Sequence, residues 1–220
     1  MNRVQKILTT TLWCLTVILM IGMVISWSRL RGRTDAASAM DRQAASQPAE
    51  LPQFFEAATF SLTDQDGKEF KSDALKGKVW ICDFVFTHCA GPCPIMSSRM
   101  STLQTTIDNP DVHFVSFSVD PERDTPKVLK EYGQKFKADF SRWHFLTGSK
   151  DAIFAVARDM KIIAKPAEDD EPILHAIKFL LVDKQGEVRG IYDSKDNDDM
   201  KKIVTDAAAL AAEKAGAPAP

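Results

Sequence analysis

Cys89 and Cys93 stand four positions apart in FVFTHCAGPCPIM, residues 84–96, directly after an apolar run. Two thiols on one short loop can be a redox couple, a clamp for a soft metal, or a structural disulfide. Pro94 suits the first position of a helix and pushes the residue before it out of the α region. The expectation is Cys93 at a helix N-cap and Cys89 in the preceding loop, where Gly91 relieves crowding. A helix N-terminus favours thiolate over thiol, and both redox exchange and metal binding need the thiolate. A structural disulfide is the reading that placement supports least. Cys-x-x-Cys is the usual dithiol oxidoreductase spacing. Here three residues intervene, so a disulfide remains feasible but closes a larger ring. A copper(I) chelate would need a third donor, most naturally an imidazole.

Four histidines could supply it. His88 abuts Cys89, but neighbouring side chains usually diverge, so it is read as tuning the site rather than completing it. His113 and His144 stand near strand starts and are read as satisfied structural histidines. His175 follows KPAEDDEPIL at the start of a late hairpin. It is either a loop-end histidine bonded to backbone or the third ligand. Cys82, within an apolar run, is read as an inert core thiol, and Cys14 as apolar filler.

The elements that must position these residues follow from periodicity. FSLTDQDGKEF alternates around Asp66-Gly67, a hairpin signal. VWICDFVF (79–86) and VHFVSFSV (112–119) read as buried strands. Met96, Met100, Leu103 and Ile107 form one helical stripe after Pro94. Thr125-Pro126 and Ser149 open two further helices, with HFLTG as a short strand end between them. AIKFLLV-DKQG-EVRGIYD is a second hairpin, and 197–213 a closing helix. Strands alternating with helices imply a parallel core, which the late hairpin makes mixed. With a cysteine pair at the first strand-to-helix turn, the expected architecture is α/β with a thioredoxin-like fold, a mixed central sheet flanked by helices.

The chain has 220 residues and a formal net charge of -2, with 28 basic and 30 acidic residues, so nothing in its charge favours nucleic acid. Four cysteines are too few for a disulfide scaffold at this length. Residues 7–27 contain no charge. As a helix they would span roughly 31 Å, the thickness of a bilayer core. Residues 1–30 are therefore expected to be a membrane anchor with one transmembrane helix. Residues 31–53, rich in Ala, Ser, Gln and Pro, form a flexible linker, 54–214 the folded domain, and 215–220 a disordered tail. Basic residues flank the span on both sides, so charge does not orient it.

Three segments are similar to one family. DFVFTHCAGPCP, SVDPERDTPKVLKEY and HAIKFLLVDKQG together resemble the Sco/SenC family of thioredoxin-like copper proteins, over about Phe60 to Ala208. The resemblance implies that Cys89, Cys93 and His175 are copper ligands, holding Cu(I) or Cu(II). Asp120 and Asp124 match family positions near the site and are read as loop-shaping. Ala90-Gly91-Pro92 departs from the Pro-Asp or similar that the family commonly carries between its cysteines. The implied function is delivery of copper to the Cu(A) site of cytochrome c oxidase during assembly. The implied partners are the copper-bearing oxidase subunit and either a periplasmic copper carrier or a thioredoxin-like reductant. The implied location is a bacterial inner membrane, single-pass, with the domain facing the periplasm. The alternative is a thiol–disulfide reductase in which Cys89 and Cys93 cycle as a redox pair. A peroxiredoxin-like peroxidase is more remote, because that site has Thr three residues before its cysteine, whereas Thr87 is two before Cys89.

Overall fold

The computed structural model describes residues 51–162, 164–165, 173–174 and 177–213, together with Met20, Met23 and Trp27. The chain separates into two units, Met1–Glu50 and Leu51–Pro220. In the first, Met20, Met23 and Trp27 are helical and exposed. The rest of the apolar stretch 7–27, with Cys14, lies outside the described residues. Among the described residues no helix is long and apolar enough to cross a membrane.

The second unit runs β1 (Phe55–Glu56), β2 (Ser61–Thr63), β3 (Glu69–Lys71), β4 (Val79–Val85), α1 (Pro92–Thr106), β5 (Val112–Ser118) and α2 (Pro126–Lys135). It continues with β6 (Trp143–Leu146), α3 (Lys150–Asp159), β7 (Ala164–Lys165), β8 (Ile173–Leu174), β9 (Lys178–Val182), β10 (Glu187–Asp193) and α4 (Asn197–Ala212). Six strands form the main sheet in the order β1-β10-β9-β4-β5-β6. β4, β5 and β6 are parallel, while β9 and β10 add antiparallel. The sheet is mixed as expected, and β6 is a full member of it rather than a strand end.

β4 and β5 are buried at all seven positions, as central strands covered on both faces must be. Val79 and Ile81 join one core cluster with Met96, Met100 and Leu103 of α1, Leu129 and Tyr132 of α2, and Ile203 of α4. Trp80, Cys82 and Phe84 point the other way, into a cluster with Leu62, Leu75 and Ile153 and Val156 of α3. The period of two along β4 thus divides α1, α2 and α4 from α3 and the β2–β3 hairpin. Met96 and Met100 are 1% and 0% exposed, and each contributes roughly 1.5–3 kcal/mol by leaving water.

Local signals place the helix starts. Thr125 Oγ1 accepts from Val128 N at 3.4 Å, with Pro126 opening α2. Ser149 Oγ accepts from Ala152 N at 3.2 Å at the start of α3. Asp196 Oδ1 accepts from Asp198 N and Asp199 N at the start of α4. The hairpin turns use Gly67 and Gly186, with φ of +76° and +91°, where a side chain would be strained.

Gly133 tests the packing of α2 against β6. A Cβ there would lie 2.8 Å from both Phe140 Cε1 and Phe145 Cε2. Gly133→Ala is expected to destabilise the domain by about 1–3 kcal/mol despite alanine's better helix propensity. A urea midpoint equal to or above that of the parent would contradict this.

Candidate metal centre

The cysteine loop leaves the C-terminal end of β4, beside the end of β5, where open α/β sheets hold their ligands. Cys89 is half-buried and Cys93 buried, 5% exposed. Both are free thiols, as is Cys82, and Cys89 stands near enough to Cys93 to raise its thiol further. Gly91 lies beside Cys89; a Cβ at that position would stand 3.9 Å from Cys89 Sγ.

The helix start differs from expectation. Gly91 is the N-cap, Pro92 the first helical residue, Cys93 the second and Pro94 the third. Gly91 offers no side-chain cap. The thiolate-favouring effect expected of a helix N-terminus is also outweighed. Burial first, then the neighbouring Cys89, push the Cys93 thiol well above its ordinary range, against a smaller lowering by the Phe86 backbone. The first turn explains why the helix cannot compensate. Prolines at its first and third positions remove two of the N–H groups that would bond an anion. Without metal, Cys93 is a neutral buried thiol, and an ion binding there must displace its proton.

Asp124 holds the loop. It is fully buried, and its Oδ2 accepts from Thr87 N at 3.1 Å and Ser118 Oγ at 2.6 Å. Its Oδ1 accepts from Thr87 Oγ1 at 2.5 Å. This bears out the loop-shaping reading, but across 37 residues rather than locally. Asp120 behaves differently. Its carboxylate pairs with Arg123 at 3.6 Å, and it shapes the turn through its backbone carbonyl, which accepts from Arg123 N and Asp124 N. Thr87 and Ser118 were missed as loop anchors. A hydroxyl immediately before the His-Cys pair was the available signal.

A second feature was missed beneath α1. Asp83 interrupts the apolar run of β4 and is fully buried, and among the described residues neither carboxyl oxygen has a hydrogen-bond partner. Burial pushes it up to about 7, and the nearby Ser116 hydroxyl offsets only part of that. Its neighbour in sequence, Cys82, is 0% exposed and its thiol is raised by burial, then by Asp83, as an inert core thiol should be.

The histidines separate clearly. His88 is exposed, with Nδ1 3.1 Å from Thr87 Oγ1. His113 and His144 lie on adjacent strands with rings 6.2 Å apart and nearly parallel. They are structural, but not satisfied: the Nδ1 atoms of both are buried without a partner among the described residues. His175 lies outside the described residues. Its neighbour strand β9 runs antiparallel to β4, so Lys178 begins it at the end of the sheet where β4 enters the cysteine loop. Among the described residues no cluster of three or more His, Cys, Asp or Glu side chains is placed to hold a metal. The two thiols suit a soft ion, and an ion held there needs at least one more donor.

A mixed sheet with a dithiol loop at its first parallel strand-to-helix turn defines a thioredoxin-like protein. The sequence profile of the SCO1/SenC family matches residues 49–211, and the chain belongs to that family. A SCO1 protein homologue of Bacillus subtilis is 38% identical over 160 residues, which is 70% of this chain and 82% of that one. The solved structure of BsSco, described as a member of the Sco family of cytochrome c oxidase assembly proteins with a disulfide switch, superposes with a TM-score of 0.67. It is 36% identical, over 77% of this chain and all of that one. Bradyrhizobium japonicum ScoI, solved with copper bound, gives a TM-score of 0.60 at 28% identity, over 70% of this chain and 99% of that one.

Proposed function

We propose that this chain binds copper through Cys89, Cys93 and His175 and delivers it to the Cu(A) site of cytochrome c oxidase during assembly. The pair of free thiols at the start of α1 carries the reading. One sulfur is reachable from solvent, the other is enclosed, and both sit on a loop pinned by Asp124. Copper is cargo here. Two thiolates and an imidazole bind Cu(I) strongly, and ligand exchange at the exposed sulfur lets it leave. Copper bound in the related Bradyrhizobium japonicum structure supports the choice of ion. Residues 1–30 anchor the chain in a bacterial inner membrane as a single pass, and the domain faces the periplasm. There it meets the copper-bearing oxidase subunit and either a periplasmic copper carrier or a thioredoxin-like reductant.

A titration of the reduced protein with Cu(I) tests this. One equivalent should bind, and Cys93→Ser should lose at least about 100-fold in affinity, since a ligand is removed outright. Equal binding by Cys93→Ser would overturn the assignment. His175→Ala should weaken binding in the same direction.

A second reading rests on the same pair of thiols. Closing the Cys89–Cys93 disulfide releases two electrons and two protons, which open a disulfide in the oxidase subunit or a copper carrier into two thiols. Oxidase assembly that survives His175→Ala but fails in Cys89→Ser would select this thiol–disulfide reductase over copper delivery.

A further inference from the structure

The exposed positions of α1 carry no charge. They are Pro94, Ile95, Ser98, Thr102, Thr105 and Thr106. On α3 the exposed positions are Lys150, Asp151, Arg158 and Asp159, every one charged, as a solvated helix face ordinarily is. Ile95, two residues after Cys93, is 53% exposed, and Ala90 and Gly91 of the cysteine loop are exposed as well. An uncharged surface therefore runs from Cys89 along the helix. Depletion of charge marks the centre of protein–protein interfaces.

That surface borders a groove. Between α1 and α4 lies a cavity of about 520 Å³, walled by buried Leu103 and half-buried Met200 and Val204, with exposed Thr102, Thr106 and Lys201 along its edge. The Thr102 hydroxyl already donates to the Ser98 carbonyl at 3.1 Å. Arg99 also lines the groove and supplies its charge. Its Nη2 donates to Asn197 Oδ1 at 3.0 Å and to the Lys195 carbonyl at 3.5 Å, and among the described residues no carboxylate pairs with it. Lys201, by contrast, is held by Asp198 at 2.8 Å. The groove thus has room for large apolar side chains and one cation without a counter-charge. A protein segment with an apolar anchor beside a carboxylate satisfies both. A bilayer surface is the poorer match, because anionic lipid is met by clusters of Lys and Arg.

We propose that the outer face of α1 and the α1–α4 groove are the docking surface for a protein that exchanges copper with Cys89. The partner seats a large apolar side chain against Leu103, Met200 and Val204 and sets a carboxylate on Arg99. This rests on the copper-delivery reading above, which makes that partner the copper-bearing oxidase subunit. The scale fits. Cys93 and Leu103 lie on one helix, roughly 15 Å apart along its axis. An interface of ordinary size covers about 800 Å² on each partner, wide enough to include both.

Biolayer interferometry tests it, with the full-length reduced protein and the copper-free oxidase subunit each held in neutral lipid nanodiscs. Thr102→Trp, a change at an exposed edge position, fills the groove and should weaken the complex at least about ten-fold, as loss of an interface anchor does. Arg99→Gln should weaken it about ten-fold, and added salt should affect the parent complex more than this one. Asp151→Trp puts the same ring on α3 and should leave the complex unchanged. Cu(I) affinity should stay that of the parent in all three. Unchanged affinity for the subunit in either groove variant, an equal loss in Asp151→Trp, or a parent that loads Cu(I) but forms no complex would overturn the proposal. So would laurate binding that Thr102→Trp abolishes while the subunit binds as before, which would assign the groove to an acyl chain. Failure of the copper reading shows separately, as a parent that binds the subunit but takes up no Cu(I).

Discussion

Arg189→Ala is expected to destabilise the domain by about 3–5 kcal/mol, the range found when one partner of a buried ion pair is removed. Arg189 is 4% exposed on β10, and its Nη1 lies 2.8 Å from Oδ2 of Asp183, itself 2% exposed. Its Nε and Nη2 donate to the carbonyl of Leu51 at 3.1 and 2.6 Å, and Nε also reaches the Pro52 carbonyl at 3.3 Å. Removing the guanidinium leaves a buried carboxylate without its cation and the Leu51 carbonyl without its donors. Asp183 retains the N–H groups of Gln185 and Glu187 on Oδ1, so its turn should survive while global stability falls. Urea unfolding would show a lower midpoint at an unchanged slope; a midpoint within experimental error of the parent would refute the expectation. The site matters because Leu51 opens the folded unit, and Arg189 fastens that end to the sheet. Lys184 fastens the other end, donating to the carbonyls of Ala211 and Glu213 at the end of α4.

The second large effect concerns acid. Burial first, then Lys78, His144 and Arg142, hold His113 down at about 4, against a smaller opposing pull from Asp111. Below its unfolded value of about 6.5 the unfolded chain takes up a proton that the folded chain refuses. The unfolded state thus binds more protons, and stability falls as pH drops from about 6.5 towards 4. For this shift the full loss is about 3 kcal/mol. His144, lowered chiefly by burial, acts in the same sense. Asp83 acts in the opposite one. Its folded value of about 7 lies above its unfolded value, so the folded state holds the extra proton and stability falls as pH rises through that window. The parent protein should therefore show a flatter profile between pH 5 and 6.5 than either group alone would produce. His113→Phe should remove the acid loss, giving a stability difference from the parent that grows as pH falls. Asp83→Asn should expose it, steepening the fall. A difference between His113→Phe and parent that stays constant across this range would refute the assignment.

Much of the fold could be read from short windows. The stripe Met96, Met100, Leu103, Ile107 and the caps Thr125 and Ser149 all stand where local pattern put them, because periodicity and capping are settled within one or two turns of chain. The start of α1 is two residues earlier than Pro94 implied, because Pro92 also fits the first helical turn. The Cys89–Cys93 pairing on one loop was equally local. Asp124 gripping Thr87 was not, since nothing in either segment states that the end of β5 lies beside the end of β4. The same holds for His113 beside His144 and for Arg189 reaching Leu51, 138 positions away.

The sequence by itself determined the family, most of the helix and strand sites, and the placing of two thiols at one strand-to-helix turn. Only the tertiary structure decided their state. It enclosed Cys93 so that burial outweighs the helix terminus and keeps the thiol protonated. It also brought Asp124 against Thr87, and so pinned the loop that carries the two thiols. Protonation depends on solvent exclusion and on which donor meets which acceptor, and both arise when distant segments pack together.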